Sequence, residues 1–404
     1  MDLLEPVTQP YAWGSHTAIA ELQGRPAPTA GPEAELWMGA HPSAPSKLDR
    51  DGVRTTLDAV IAADPEGELG AECAARFGGR LPFLLKVMGV AKALSIQVHP
   101  SRRQAEAGYR AENERGLAPG DKSRNYVDDW PKPEILCALT RFEALAGLRT
   151  PAAAAALLRA LEVSELAPLA AELAGHPAGP SGPAALTRVL AAILTWPAEG
   201  RAALVAAVVA ACERVAGGGG EYAAACAAIA RTGGDHPGDL GVVAALLLRY
   251  VVLRPGEAIF LPAGGPHAYL RGTGVELLAN SDNVVRAGLT PKHIDVPELL
   301  KLLDPAVAVP VIEPRPLGGG VSVYDSPAPE FRLYRAVLGP GEVTLPGAGC
   351  ARVVLCTEGT GSLGTAAGAL KVAKGESCYL PARDGAVTAS GPAVLFIAGG
   401  GTES

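Results

Sequence analysis

Four side chains able to share one metal ion lie far apart in this sequence. Gln97 and His99, in Gln97-Val98-His99, stand two residues apart and so share one face of a strand. His267 ends the run Gly256-Glu257-Ala258-Ile259-Phe260-Leu261-Pro262-Ala263-Gly264-Gly265-Pro266-His267, which reads as strand, tight Pro/Gly turn and the start of the next strand. Glu134 follows the stiff Pro131-Lys132-Pro133 segment, which sets a carboxylate and an ammonium in fixed orientation before a strand. Taken singly, a Gln-x-His pair more often lines a solvated groove, and a lone His is more often structural. Together they give two imidazoles, one carboxylate and one amide oxygen, with no thiolate. Zn²⁺ suits that set, with one position open, and ligand type alone also admits Fe²⁺ or Mn²⁺. One anionic ligand leaves the ion net positive, so it remains a Lewis acid.

A second polar cluster follows closely. The stretch Gly274 to Lys292 carries Glu276 at an expected strand start, Asp282-Asn283 as turn chemistry, and the cations Arg286 and Lys292. An Arg and a Lys near a strand are ordinarily surface charge. So many polar residues beside a metal motif favour a cavity for an anionic ligand.

The elements that must position these residues fall into three blocks. Residues 1–148 mix turns with short β-prone runs, among them Leu81–Met88, Ala93–His99, Ile135–Leu139 and Phe142–Leu148, the pattern of a β-barrel or sandwich. Residues 149–237 change character. Thr150-Pro151 is an N-cap and N1 pair ahead of an Ala/Leu helix, and further helices are expected at Ala184–Thr195, Arg201–Val215 and Glu221–Ala230. This block reads as a helical insertion without metal chemistry, with His176 and His236 facing solvent beside prolines. β character returns at Val251. In the tail, Gly375-Glu376-Ser377-Cys378-Tyr379-Leu380-Pro381-Ala382 echoes Gly256 to Ala263, but Arg383 and Ala386 replace Gly264 and His267. Two related barrels, one with a site and one without, follow: 1–148 with 238–312, then 313–404.

Composition narrows the partners. At 404 residues and 48% hydrophobic, the chain can bury a large core in two or three domains. A formal net charge of -7 argues against nucleic acid and leaves local Lys and Arg to meet a phosphorylated substrate. Seven cysteines without a C-x-x-C suggest neither a disulfide framework nor a thiolate zinc site, which fits a reducing cytoplasm. The N-terminus lacks signal-peptide character, and the apolar run Ala202–Cys212 is too short to span a bilayer, so no membrane partner is expected.

These motifs resemble a known family. The spacing of Gly256, Pro262, Gly264 and His267 is similar to the second metal motif of cupin barrels. Leu94 to Pro100, Lys132-Pro133-Glu134, His267-Ala268-Tyr269-Leu270 and Ser281 to Lys292 resemble type I mannose-6-phosphate isomerase, as do Gln9 to Ser15 and Glu35 to Gly39. The string Ser-Asp-Asn-Val-Val-Arg-Ala-Gly-Leu-Thr-Pro-Lys is the most specific of these. The resemblance implies two jelly-roll (cupin) barrels plus a helical domain, and a zinc ion held by Gln97, His99, Glu134 and His267. It further implies Arg286 as the catalytic arginine, with Lys132, Glu276, Tyr269, Asp282, Lys292, Ser95, Lys86 and Trp13 around the substrate.

The implied activity is interconversion of mannose 6-phosphate and fructose 6-phosphate through an enediol(ate). Glu276 is the first choice as general base and Lys132 the second. Lys292 and Ser95 are expected phosphate contacts. Relatives often carry Asn-His where this chain has Trp130-Pro131, so another group or a water must take up any ring-opening role of that His. Pro266 replaces an aliphatic residue with little expected effect. A metal oxygenase or a non-catalytic sugar-phosphate binder are the competing readings. Gln97 occupies a position an oxygenase would need open, and the Ser281–Lys292 string has no role in one. A monomer, or at most a weak dimer, is expected.

Overall fold

The β-prone stretches at the two ends of the chain form two large antiparallel sheets, with the helical block inserted in the first. This is a computed structural model, and it describes residues 1–177, 179 and 181–401. An 11-stranded sheet runs through the strands Glu35–Gly39, Phe83–Val90, Glu134–Ala138, Ala258–Leu261 and the long His267–Ala279, and a 10-stranded sheet takes the C-terminal strands. The recorded pairings are antiparallel, and among the described residues they form no closed barrel. Sheet and helix contribute in near-equal measure, so the fold is mixed rather than mainly β with a helical insertion: besides the inserted block, the helices Leu57–Ala63, Ala71–Phe77 and Arg102–Glu114 lie among the strands of residues 1–148. The first strand, Asp2–Leu4, pairs with Ser377–Leu380, so the N-terminus belongs to the C-terminal sheet.

The Gly-Glu echo is repeated in atomic detail. Gly256 and Gly375 both take positive φ, 89° and 83°, a region that favours glycine. In each turn the glutamate closes the loop on the residue three before it: Arg254 N–H donates to Glu257 Oε2 at 2.7 Å, and Ala373 N–H to Glu376 Oε2 at 2.8 Å. The copies then part. After Leu261 the chain turns to His267, whereas after Leu380 it enters a short 3₁₀ turn at Ala382–Asp384.

The helical block follows its sequence signals. Thr150 Oγ1 accepts from Ala153 N–H at 3.2 Å and caps Pro151–Ala160. The helices Ser181–Leu194, Ala198–Gly218 and Ala223–Asp235 bury leucine, valine and alanine faces in a core shared with Ile96, Val98 and Val285 of the first sheet. That shared core fixes the block against the strands carrying Gln97 and Arg286. Among the described residues, no single helix is long and apolar enough to cross a membrane.

Candidate metal centre and substrate cavity

Sheet register brings the scattered motifs together. The strand Ile96–Val98 lies between two partners: Gln97 is opposite His267 on one side and Arg286 on the other. One strand over, Leu261 is opposite Glu134, and the turn after it returns the chain to His267. That turn needs Gly264. Its φ is 80°, its N–H donates to the His99 carbonyl at 3.0 Å, and a Cβ there would sit 2.9 Å from the Asp304 Cβ.

Ligand-type atoms of His99, Glu134 and His267 lie within 4.8 Å of one another, and all three residues are buried. His99 Nδ1–H donates to the Asn283 carbonyl at 2.8 Å, and His267 Nδ1–H to the Gly265 carbonyl at 3.2 Å. Each backbone acceptor fixes the tautomer and leaves Nε2 as a lone-pair donor. The two Nε2 atoms flank one carboxylate, at 3.3 Å from Glu134 Oε1 and 3.2 Å from Glu134 Oε2. His99 Nε2 is fully buried without a hydrogen-bond partner, an arrangement that proteins avoid unless something else fills the position. Gln97 Nε2–H is directed to Ser95 Oγ at 3.3 Å, leaving the amide oxygen as the donor atom for an ion. The donor set fits a divalent metal.

Electrostatics agree. Burial opposes ionisation of Glu134, but the Lys132 ammonium 3.6 Å away favours the carboxylate, and its pKa is held well below the usual carboxylate range. Burial pushes His99 down to about 4, against the pull of Glu134, so its imidazole is neutral at pH 7. Both states are those a metal requires.

Around this centre runs a row of buried charges. Across the sheet Trp37, Lys86 and Glu276 are register neighbours and share a face. Lys86 Nζ lies 3.1 Å from Glu35 Oε2 and 3.6 Å from Glu276 Oε2. Burial disfavours the Lys86 ammonium, yet Glu35, Glu276 and Glu134 raise its pKa overall, so it stays charged. Burial, reinforced by Glu134 and opposed by Lys86, raises Glu276 to about 7. Tyr269 O–H donates to Glu276 Oε1 at 2.7 Å. Glu276 lies well inside the strand His267–Ala279 rather than at a strand start, because the β run begins at the metal turn.

A cavity of about 720 Å³ opens beside the centre, within the roughly 300–1,000 Å³ usual for small-molecule sites. Trp13, Lys86, Ser95, Gln97, Lys132, Asp282, Arg286 and Lys292 line it. Glu134, His267, Tyr269 and Glu276 line a smaller pocket of about 60 Å³ that shares Lys86, Gln97 and Lys132 with it. Twelve of the thirteen site residues expected from the sequence thus line one or other of these two pockets, and the thirteenth, His99, lies against Glu134. Arg286 and Lys292 have no hydrogen-bonded or ion-paired side-chain partner among the described residues, and burial lowers the pKa of both. Two cations at a cavity wall without counter-ions suit an anionic ligand.

The departure at Trp130-Pro131 has a packing explanation. Trp130 is 5% exposed, packs on Phe77, and lies under the Arg80 guanidinium at 4.4 Å. It is core, and it contributes no group to the cavity.

Residues that the sequence did not single out stand in the cavity wall, Glu35 and His236, or behind it, His41. Glu35 was noticed only as part of a motif, although a carboxylate inside the apolar Leu-Trp-Met strand is itself a signal of burial. His41, buried against Trp37, carried no such signal. His236 is half-buried on the cavity wall rather than facing solvent, because the helix Ala223–Asp235 ends over Ala93, whose carbonyl lies 3.4 Å from His236 Nε2. His176 keeps a partly exposed place beside Ser181.

Residues 1–151 match the family "Phosphomannose isomerase type I, catalytic domain". Over 392 residues the chain is 37% identical to mannose-6-phosphate isomerase of Escherichia coli (strain K12), covering 95% of each. The chain belongs to the mannose-6-phosphate isomerase family. The Bos taurus member is 34% identical, with 94% of this chain and 93% of that protein covered. A zinc-bound mannose 6-phosphate isomerase crystal structure superposes with a TM-score of 0.89 at 36% identity, covering 99% of both chains. A variant of the Salmonella typhimurium phosphomannose isomerase gives 0.90 at 36%, again over 99% of both.

Proposed function

We propose that this protein is a metal-dependent aldose–ketose isomerase interconverting D-mannose 6-phosphate and D-fructose 6-phosphate. The observation that carries the reading is the buried Nε2 of His99, without a hydrogen-bond partner, in a group with Glu134 and His267 next to a cavity where Arg286 and Lys292 have no ion-paired partner among the described residues. Gln97, His99, Glu134 and His267 would hold one Zn²⁺. Bound there, the ion would supply Lewis-acid stabilisation of oxyanion charge at the reacting end of the sugar.

The chain's own residues do the remaining work. Glu276, with a pKa near neutrality, is suited to take a proton from one carbon and return it to the next as an enediol(ate) forms and collapses. Lys86 and the Tyr269 hydroxyl hold that carboxylate in place. Lys132 Nζ, 3.6 Å from Glu134, is the second candidate for proton transfer. Arg286 offers a permanent positive charge that does not compete as an acid. Lys292 and Ser95 take the phosphate, whose binding energy positions the reacting carbons. Trp13 and Asp282 border the sugar.

The reading extends to architecture. Residues 1–148 with 238–312 form the catalytic cupin-type unit, 149–237 the helical insertion, and 313–404 a metal-free cupin-type unit, supported by the repeated Gly-Glu turn. A cytoplasmic monomer is part of the same proposal. A metal oxygenase is not favoured, since Gln97, opposite His267 in the sheet, would fill a position that such an enzyme needs open.

Turnover of mannose 6-phosphate should disappear on chelation and return with Zn²⁺. Arg286→Ala should lower kcat at least a hundredfold, the scale of losing one electrostatic contact to developing charge, while metal content is unchanged. Oxygen uptake with bound iron, or tight sugar-phosphate binding without turnover, would overturn the reading.

A further inference from the structure

Asp282 stands on the cavity wall, its side chain 47% exposed, with Lys132 and Lys86 near enough to bear on its charge. A half-exposed carboxylate on a loop would ordinarily rotate toward such cations and occupy them. Its backbone is fixed: Asp282 N–H donates to Asp128 Oδ2 at 2.9 Å, and Ser281 and Asn283 are held by the same aspartate. Its side chain is fixed by a residue from another element. His41 is 4% exposed, and its Nε2 lies 3.3 Å from Asp282 Oδ2.

The hydrogen bonds on the far side of the ring decide what His41 offers. Ser43 N–H donates to His41 Nδ1 at 3.3 Å, and Ser43 Oγ is 2.8 Å from the same atom. A backbone N–H can only donate, so Nδ1 is an acceptor and the ring proton resides on Nε2. Trp37 packs against the ring at 4.8 Å between centroids, and its Nε1–H donates to Glu35 Oε2 at 2.6 Å. His41 is thus held in one orientation by Ser43 and Trp37, with its Nε2–H aimed at Asp282.

We propose that His41 is a positioning residue that anchors one oxygen of Asp282, so that the other accepts a hydrogen bond from a sugar hydroxyl instead of turning to Lys132. This rests on the sugar-phosphate isomerase reading. His41 touches neither the metal donors nor the reacting carbons, and it acts through Asp282.

The test is a double-mutant cycle on the zinc-loaded enzyme. His41→Asn places its amide where Nδ1 was and loses the contact to Asp282, whereas His41→Gln can place an N–H at the Nε2 position. His41→Asn should raise KM for mannose 6-phosphate about tenfold, the scale of one hydrogen bond to a charged group, with kcat changed less than threefold. His41→Gln should recover most of the loss. In an Asp282→Ala background, where no side-chain acceptor remains, His41→Asn should have no further effect. Additive effects in that cycle, or equal defects in the Asn and Gln variants, would overturn the assignment while wild-type turnover stands. A wild-type protein without turnover would instead remove the isomerase reading and this inference with it.

Discussion

At the scale of single residues, the chemistry turns on keeping opposite charges buried together without letting them neutralise one another. Glu276 shows how. Its pKa, raised to about 7 by burial and by Glu134, is restrained by Lys86 and by the hydroxyl of Tyr269. A base works only when deprotonated, so activity should fall as pH drops through the Glu276 pKa. Tyr269→Phe removes a hydrogen bond that favours the charged form, and the Glu276 pKa rises further. The acidic limb of the kcat/KM profile should therefore move to higher pH, with about a tenfold loss near pH 6 and a smaller loss above pH 8. An unmoved acidic limb would remove Glu276 as the base. Residues of this kind were partly legible. Gln97, His99, Glu134 and His267 advertise themselves because metal chemistry restricts residue type, and turns restrict spacing. Glu35 carries only a weaker signal, a carboxylate in an apolar strand, and His41, just past that strand, carries none, since what covers it comes from Trp37 and Ser43 in the folded chain.

The elements position those residues through contacts that leave no room for side chains. The short helix Gly241–Ala244, just past the helical block, meets the strand Val285–Gly288 glycine to glycine. A Cβ on Gly288 would lie 2.4 Å from the Gly241 Cα, and one on Gly241 would lie 2.4 Å from the Leu289 nitrogen. Asp239 clasps the junction, accepting from Gly241 N–H at 2.7 Å and Thr290 N–H at 2.9 Å. The strand so held carries Arg286, and Lys292 follows it. Gly241→Ala should force the strand outward, costing about 1–3 kcal/mol of stability as overpacking does. It should also lower kcat/KM at least tenfold with zinc content unchanged, a pairing that thermal unfolding and steady-state kinetics would show. Unaltered kinetics would mean that the block does not set the place of Arg286. Sequence patterns foresaw the helices here and the Thr150 cap, because propensity and capping are local. They did not foresee this contact. The glycine in the Ala287-Gly288-Leu289 stretch reads as a motif letter until Gly241, 47 positions earlier, is seen against it. Likewise, the strand holding Glu276 was placed too late because its β run starts at the metal turn.

For the molecule as a whole, the C-terminal sheet is part of the foundation of the site. One hydrophobic core contains Leu36, Leu85, Ile135 and Val275 of the first sheet together with Tyr324, Phe331, Leu355 and Phe396 of the second. Polar contacts cross the same boundary. Tyr324 O–H donates to the Gly256 carbonyl at 2.9 Å and accepts from Cys137 Sγ–H at 3.0 Å, both on strands or turns adjoining the metal centre. Arg102, three residues after His99, pairs at 2.9 Å with the buried Glu330, while Glu68, itself buried, pairs with Arg383 and holds Tyr379 through its carbonyl. The repeat of the Gly-Glu turn points to a second β region, yet nothing in the sequence indicates that the two sheets share a core. A chain shortened to residues 1–312 would expose an apolar face. At about 1.5–3 kcal/mol for each large side chain returned to water, exposing even Leu36, Leu85, Ile135 and Val275 costs as much as the roughly 5–15 kcal/mol by which a folded protein is stable. The shortened protein should therefore fail to give a cooperative unfolding transition and should lose zinc binding as well as turnover, whereas the full chain should unfold the two sheets in one calorimetric step. If the shortened chain proved soluble, cooperative and able to bind zinc, the metal-free unit would be an appendage and the shared core would contribute little to the site.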